Sequence, residues 1–588
     1  MTDLARSTLV STAAASTAAQ LVDRGVRHVF VHSAPSIRPL LQAIRETTSI
    51  EIIHMRSSTS VAFAAAGYAR ATGELGVAIC GGGPAATSLM TGIYDAQMDS
   101  IPLLVLAGQV RADKIGTDAW RDSDTIGMTS TITKHNWQAG CGDELNACVQ
   151  AGITLATTGR KGVVFIAIPE DIFERPCDPW FNPATLLRGY RVPNGTTDEQ
   201  VERFYDLLDD AQRPLILIGG GGIQNDAESE ILALAEELNL PIATTMTAKG
   251  AIPETHPHAV GMLGAIGRRS AIWAWQRADL IISFGARFAD PLTGDSEAFF
   301  ANRRFVQIDI DPVELGKHKR AHLEIATSAL DAAQRLRAGT NEQKRATKAA
   351  KFQPWLNQCA TAAGFHHRGM PYRDDEPLHP RRIMDMINQR RRSDEIVVCG
   401  VGEHQLFAAH YLNFQRPRTL VTSCGASARG FSVPGAVGAA VGAPRRRLVL
   451  IEGDGGFQAG VHELANVASL KLPILILVLD QKEQARNMSD DTVPTPDFVA
   501  IARAFDIDGF RAKDQRELED LLDEHWNSRA PLLIQVDVAP VKMEPRAPRN
   551  QPLSAFQGGP VPAPGQLFTR DEARLLEQVA TGSFDDEP

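Results

Sequence analysis

Asp454 stands in a Gly453-Asp454-Gly455-Gly456 turn directly after the apolar run Leu448-Val-Leu-Ile451 and Glu452, and that arrangement suits phosphate chemistry. A carboxylate offers a hard oxygen to Mg²⁺, and glycines without Cβ atoms let a diphosphate approach the backbone. Downstream, Val461, Leu464, Ala465, Ala468 and Leu472 recur at helical spacing, which predicts an amphipathic helix over Val461 to Leu472. A second apolar run, Pro473 to Leu479, ends at Asp480-Gln481. Strand, helix and strand make a right-handed βαβ unit, which brings both strand ends to one edge of a parallel sheet. Asp454 is therefore expected beside residues 480–481 at the carboxyl edge, where doubly wound sheets bind ligands.

The elements that must hold this site follow from size and pattern. A chain of 588 residues has room for about three or four domains, each with its own core. Its 44% apolar and 22% charged composition is that of a soluble globular protein. A net charge of −10 and a pI near 5.9 argue against a nucleic-acid-binding surface. No apolar run reaches membrane-spanning length, so no membrane partner is expected. The N-terminus, Met1-Thr-Asp-Leu-Ala-Arg6, lacks the apolar core of a secretory signal. Seven cysteines without a Cys-x-x-Cys pair indicate neither a disulfide framework nor a zinc site. A cytoplasmic location is the expectation.

Three α/β blocks follow one another. Residues 10–180 alternate helices with strands predicted at Val26–Val31, Gly76–Cys80, Pro102–Ala107 and Gly162–Ile168, and a linker from Pro176 to Thr197 closes the block. The second block, 197–335, opens with the strand Pro214–Ile218 running into Gly219-Gly220-Gly221-Gly222, and continues through Leu280–Phe284 and Phe305–Ile310. A charged stretch, Asn341 to Lys351, and an irregular segment through Pro380 separate it from a third block, 381–540. Residues 541–588 read as a proline-rich tail with one short helix at Asp571–Val579. All three blocks favour doubly wound parallel sheets with helices on both faces.

The βαβ unit around Asp454 resembles the diphosphate motif of the thiamin diphosphate (ThDP) enzymes. The order of blocks resembles their pyrimidine-binding, central and diphosphate-binding domains, the fold type of pyruvate oxidase and pyruvate decarboxylase. The resemblance runs from about Ala15 to Val538 and, within the family, is to acetohydroxyacid synthase (acetolactate synthase). It is carried by Gly67-Tyr-Ala-Arg-Ala-Thr-Gly73, Pro102-Leu-Leu-Val-Leu-Ala-Gly-Gln109, Thr133-Lys-His-Asn136, Gly285-Ala-Arg-Phe288, Asp309-Ile-Asp-Pro312 and Gly402-Glu-His-Gln405. It implies ThDP and Mg²⁺ as cofactors, with Asp454, Gln481 and Glu483 toward the metal; Gln481 replaces the family's asparagine. Gly453, Gly455, Gly456, Gly430, Glu403, His404 and Gln405 would lie toward the cofactor. Because pyrimidine and diphosphate domains of this family face each other across subunits, a homodimer or homotetramer is implied.

Departures from the family cluster at the catalytic positions. The glutamate that polarises the aminopyrimidine falls, counted without gaps, on Ser58, and no acid stands from Ile52 to Arg70. A serine hydroxyl cannot supply the charge-assisted bond of a carboxylate. Glyoxylate carboligase is a family member that manages without this glutamate, so its absence does not exclude catalysis. The family's glycine-rich turn after the first strand reads Phe30-Val31-His32-Ser33-Ala34-Pro35 here. The residue that props the bent cofactor, usually methionine in the synthases, is Arg429; the glutamine near the diphosphate is Glu403; the Ala-Phe-Gln-Glu stretch is Ala119-Trp120-Arg121-Asp122. His32 lies where substrate would approach, as a proton shuttle or as a packed loop histidine. Gln109 belongs with the same catalytic set. Arg121 and Arg429 could hold a substrate carboxylate or be solvated. His135 is expected to be structural.

In the central block, Gly219, Gly220 and Gly221, Gly261-Met-Leu-Gly264, Arg287, Asp309 and Ile310 match flavin-binding synthases, which implies FAD in a largely architectural role. The implied activity is that of a divergent acetolactate-synthase-like carboligase or lyase acting on a small 2-oxo acid. The alternative is a ThDP-inactive paralogue that binds FAD or another ligand and has a repurposed or regulatory role.

Overall fold

The computed structural model describes residues 11–177, 186–294, 299–365, 378–481, 495–541 and 568–581. Their backbone forms three six-stranded sheets in chain order. The first contains β1 (His28–His32), β2 (Glu51–His54), β3 (Gly76–Cys80), β4 (Leu103–Gln109), β5 (His135–Gln138) and β6 (Val163–Pro169), ordered β2-β1-β3-β4-β6-β5. The second contains β7 (Pro214–Ile218), β8 (Ile242–Thr244), β9 (Ala259–Met262), β10 (Leu280–Phe284), β11 (Arg304–Asp309) and β12 (Leu323–Ala326), ordered β9-β8-β7-β10-β11-β12. The third contains β13 (Ile396–Cys399), β14 (Leu420–Thr422), β15 (Leu448–Gly453), β16 (Ile474–Asp480), β17 (Asp508–Ala512) and β18 (Leu532–Asp537), ordered β14-β13-β15-β16-β18-β17. The first and third sheets thus share one topology. The helices that bear on the site or its support are α1 (Ser58–Thr72), α2 (Glu342–Gly364), α3 (Glu403–Tyr411), α4 (Ser432–Gly442), α5 (Asp454–Gly460) and α6 (Arg570–Thr581).

The sheets are parallel, so crossover helices cover both faces and central strands read as continuous apolar runs. Every residue of β4, β6 and β16 is buried. In each sheet the chain winds outward in both directions from a central pair: β1 with β3, β7 with β10, and β13 with β15. The carboxyl ends of each pair flank the crevice that takes ligands in such sheets.

The chain forms two compact units. One is built from the described residues up to Arg191 with Glu395–Gly402 and Val421–Asp537; the other from Val192–Asp394, Glu403–Leu420 and the described residues from Val538 on. In the first unit α1 lies against α4. Both helices are apolar nearly all round, which suits full burial. Their backbones meet at glycines: a Cβ on Gly67 would overlap Gly435, and one on Gly438 would overlap the Ala64 carbonyl. In the second unit Trp273 stacks on Trp355 of α2 at 5.5 Å, and Phe568 ahead of α6 closes the same cluster.

Three sequence expectations change. The helix expected over Val461–Leu472 is a 3₁₀ turn, Val461–Glu463, followed by a short helix, Leu464–Ser469, while helical structure already begins at Asp454. The charged stretch from Asn341 is no separator: Asn341 caps α2 through a bond from Lys344 N, and Lys348, Phe352, Trp355 and Cys359 face inward. Pro176 and Cys177, read as linker, pair antiparallel with Ser11 and Thr12.

Candidate functional site

The crevice of the third sheet opens between β13 and β15. Gly453 pairs with Leu479, so Asp454 and the Asp480-Gln481 pair leave their strands side by side at the carboxyl edge. Asp454 is buried at the start of α5, and Gln481 is half-buried. Asp480 is buried and accepts from Gln535 Nε2 at 2.8 Å, which fixes the strand end. A carboxylate with an amide oxygen beside it, under glycine backbone, is a hard-oxygen donor set that fits Mg²⁺ carrying phosphates. Glu483 lies outside the described residues.

Glu452 is a feature sequence reasoning missed. Its buried carboxylate points into the crevice, accepts from Gly453 N at 2.9 Å and is bonded by the Ser432 hydroxyl. A Cβ on Gly400 or on Gly456 would overlap this carboxylate, so a side chain at either position would have to displace it. The two glycines facing one acid were the only sequence signal, and they lie far apart in the chain.

Gly430 has φ +85°, a conformation that suits glycine, and a Cβ there would press on Ala459. Arg429 beside it is exposed. The loop before them is held from the first domain of the same unit. Asp99 accepts from Cys424 N at 3.0 Å and Gly425 N at 2.8 Å, and Ser423 donates to Asp95 Oδ1 at 2.5 Å. Arg70, of the Gly-Tyr-Ala-Arg run, donates to both carboxylates and lies 4.8 Å from the centre of the Phe431 ring. Burial opposes the Arg70 charge, yet the two carboxylates keep the guanidinium pKa raised. In the other unit α3 begins with Glu403, half-buried, followed by His404 and Gln405, both buried.

At the carboxyl edge of the first sheet, β1 ends at His32 and α1 begins at Ser58. Ser58 Oγ and His32 Nδ1 are 2.9 Å apart, at hydrogen-bond distance, and Ser58 is only 7% exposed. The connecting segment is fixed on both sides. Met55 N donates to Val31 O at 2.8 Å, and Arg56 N donates to the buried Glu463 at 2.9 Å. Ser57 caps α1 by accepting from Ser60 N at 3.2 Å, and His462 Nε2 lies 3.1 Å from Ser57 Oγ and 3.0 Å from Ser60 Oγ. His462 and Glu463, which make these contacts, lie in the 3₁₀ turn that interrupts the expected helix.

Opposite β1, the turn Gly81–Gly83 follows β3. A Cβ on Gly82 would lie 2.6 Å from Gly108 O, and one on Gly83 (φ +59°) would lie 2.9 Å from Arg121 Cβ. Gln109 is buried; its Nε2 donates to Ser123 O and its Oε1 accepts from Val110 N, each at 2.8 Å, so it clamps the loop that carries Arg121. Arg121 itself is exposed with φ +72°, its guanidinium 4.0 Å from the centre of the Trp120 ring, which is 81% exposed. In the Thr-Lys-His-Asn run, Lys134 donates to the carbonyls of Leu155, Thr158 and Arg160 and closes a helix end. Asn136 donates to Ile126 O and Thr129 Oγ1. His135 packs edge-on against Trp137 at 4.1 Å, and burial lowers its pKa.

In the second unit, the glycine turn after β7 presses on the turn after β10. Gly219 N donates to Phe284 O at 2.9 Å and Gly221 N to Gly285 O at 3.0 Å. Cβ atoms on Gly219 or Gly221 would collide with the Gly285–Ala286 backbone, whereas Gly220 faces Thr247. Gly261 (φ +97°) is covered by the Arg268 side chain, which donates to Glu254 at 3.3 Å and Asn413 at 2.8 Å. Protein contacts therefore account for the close approach at Gly219, Gly221 and Gly261. Arg287 and Ile310 are half-buried; Asp309 is buried at the end of β11 and accepts from Asp311 N at 2.9 Å.

Comparison with known proteins agrees with this architecture. Residues 11–147 match the family described as thiamine pyrophosphate enzyme, N-terminal TPP binding domain; 201–336 match its central domain, and 400–536 its C-terminal TPP binding domain. The chain is 32% identical over 545 residues to a probable acetolactate synthase large subunit of Methanocaldococcus jannaschii, covering 89% of this chain and 91% of that one. It is 34% identical over 452 residues to the acetolactate synthase large subunit of Corynebacterium glutamicum, with 77% and 72% covered. Against acetolactate synthase 2, chloroplastic, of Zea mays, it is 32% identical over 538 residues, with 87% and 83% covered. Among the described residues no helix is long and apolar enough to cross a membrane.

Proposed function

Because this chain belongs to the thiamine pyrophosphate enzymes, near the acetolactate synthase large subunits, we propose that it is a divergent carboligase or lyase acting on a small 2-oxo acid. The observation that carries this reading is the strand register that sets Asp454 beside Asp480-Gln481 at the carboxyl edge of the third sheet. Asp454 and Gln481 would hold Mg²⁺, with the glycine backbone at 453–456 toward the diphosphate. ThDP, when bound, would supply a carbon nucleophile for the 2-oxo carbon and an electron sink for the bonding pair left behind when carbon dioxide departs.

The chain's own residues supply binding and orientation. Arg121 and Arg429 are exposed guanidinium groups suited to bidentate recognition of a carboxylate. Gln109 positions Arg121 through its loop clamp, and the Arg70 cluster positions Arg429 and Gly430. By the family resemblance, Glu403, His404 and Gln405 are cofactor-binding candidates. A homodimer or homotetramer is the assembly the family resemblance supports.

The test is reconstitution with ThDP and Mg²⁺ followed by carbon dioxide release from a panel of small 2-oxo acids, with ligands extracted from the isolated protein identified by mass spectrometry. Release from at least one of these acids supports the reading. Absence of both release and ThDP, with FAD or another ligand in the extract, would replace it with the ThDP-inactive paralogue.

A further inference from the structure

Ser58 stands where a carboxylic acid is expected, and the structure shows what stands behind it. We propose that His32 and Ser58 act as one imidazole–hydroxyl pair that does the acid's work at the pyrimidine end of the site. Ser58 Oγ gives a hydrogen bond or proton to a ring nitrogen of the ligand, and His32 resupplies it. The inference rests on the reading above that the chain binds ThDP.

Neighbouring serines have other tasks. Ser57 is the cap of α1, and both Ser57 and Ser60 meet His462. Ser58 is the first residue inside the helix, and its hydroxyl has one hydrogen-bond partner among the described residues, His32 Nδ1. The pair is held by the fold rather than by chance rotamers. His32 ends β1 opposite Cys80 of β3, and Ser58 follows a segment tied to Val31 and Glu463. His32 is half-buried, which leaves the imidazole a route to solvent protons.

The proton count closes. With His32 doubly protonated, Nδ1–H donates to Ser58 Oγ. When the Ser58 O–H bond breaks toward the ligand nitrogen, a new O–H bond forms with the Nδ1 proton, and His32 is left neutral. One proton leaves the imidazole, one reaches the ligand, and no oxidation state changes. The relay restores what serine alone lacks, a positive charge behind the donated proton.

The test compares wild type, Ser58→Ala, His32→Leu and His32→Asn, all stripped of cofactor. Affinity for ThDP with Mg²⁺ is measured by calorimetry, and exchange of the C2 proton of bound ThDP by quenched proton NMR in deuterium oxide. The Asn amide can still donate to Ser58 Oγ but carries no transferable proton. Ser58→Ala and His32→Leu are expected to weaken binding about 3- to 10-fold. They are expected to slow exchange by about 100-fold or more. His32→Asn is expected to bind like wild type yet exchange as slowly as His32→Leu, a split that a purely structural role would not produce. A second readout needs no ligand: Ser58→Ala must shift the His32 ring-nitrogen resonances. Wild-type exchange in His32→Asn, or unmoved His32 resonances, overturns the pair while leaving ThDP binding intact. Absence of Mg²⁺-dependent ThDP binding by wild type overturns the functional reading and the pair with it.

Discussion

Arg70 Nη2 lies 2.8 Å from Asp95 Oδ2, with both side chains buried, and that ion pair anchors the loop that presents Arg429 and Gly430. Removing Arg70 leaves two carboxylates out of water with hydrogen-bond donors but no opposing charge. Arg70→Met is therefore expected to destabilise the protein by about 3–5 kcal/mol. The check is the urea midpoint of the first unit, followed by tryptophan fluorescence and circular dichroism. A loss below about 1 kcal/mol, the scale of a surface pair, would contradict a buried clamp.

The α1–α4 contact makes a steric prediction. Gly438→Ala would drive a methyl group into the Ala64 carbonyl. Overpacking of a tight core costs about 1–3 kcal/mol, so a clearly lowered thermal midpoint is expected. Gly364→Ala, at the end of α2 with nothing within 4 Å of the added atom, is the control. It is expected to be neutral or stabilising by up to about 1 kcal/mol. Equal effects at the two positions would show that helix propensity, not close approach, sets the glycine at 438.

Glu452 and the Gly400 crevice can be separated by a double-mutant cycle. Gly400→Ala is expected to lower stability because its Cβ would meet the Glu452 carboxylate. In Gly400→Ala/Glu452→Ala the clash is gone, so the double variant should be more stable than the sum of the two single losses. Coupling of about 0.5–3 kcal/mol is the expected range for residues in contact. Simple additivity would mean that the two do not compete for the same space.

Histidines removed from water set a pH dependence. Burial lowers the pKa of the half-buried His28 and the buried His258 from the ordinary 6.5, and His258 Nδ1 sits 2.8 Å from Leu240 O, consistent with a neutral ring donating its proton. Below 6.5 the unfolded chain binds protons that the folded one resists, so stability falls as pH drops through 6.5 and continues to fall until the folded groups titrate. The thermal midpoint should decline between pH 7.5 and 5, and His258→Gln should flatten that decline. An unchanged slope in the variant would remove His258 from the effect.

Much of this was legible in the sequence, for physical reasons that also mark where legibility ended. Pro214–Ile218, Leu280–Phe284 and Gly76–Cys80 are apolar runs of strand length, and the structure puts strands there with the same ends. Glu51–His54 is polar at its exposed ends and Ile242–Thr244 is three residues long, so neither gave a pattern to read. The side-by-side exit of Asp454 and Asp480-Gln481 followed from βαβ handedness alone. The Ser58–His32 contact did not, because it depends on how two loops fold back at a sheet edge. The same holds for Glu452, whose carboxylate meets Gly400, a glycine remote in sequence, as well as the nearby Gly456. The glycines after β7 were read toward a flavin; that Gly219 and Gly221 lie against the backbone after β10 is a close approach the sequence did not reveal.

The central claim is a diphosphate held through Mg²⁺ at Asp454, and calorimetric titration of the cofactor-stripped protein with ThDP, with and without Mg²⁺, tests it most directly. Micromolar or tighter binding that requires Mg²⁺, and weakens about 100-fold or more in Asp454→Ala as a lost charged ligand should, is the expected result. No binding, or binding indifferent to Mg²⁺ and to Asp454, would contradict it.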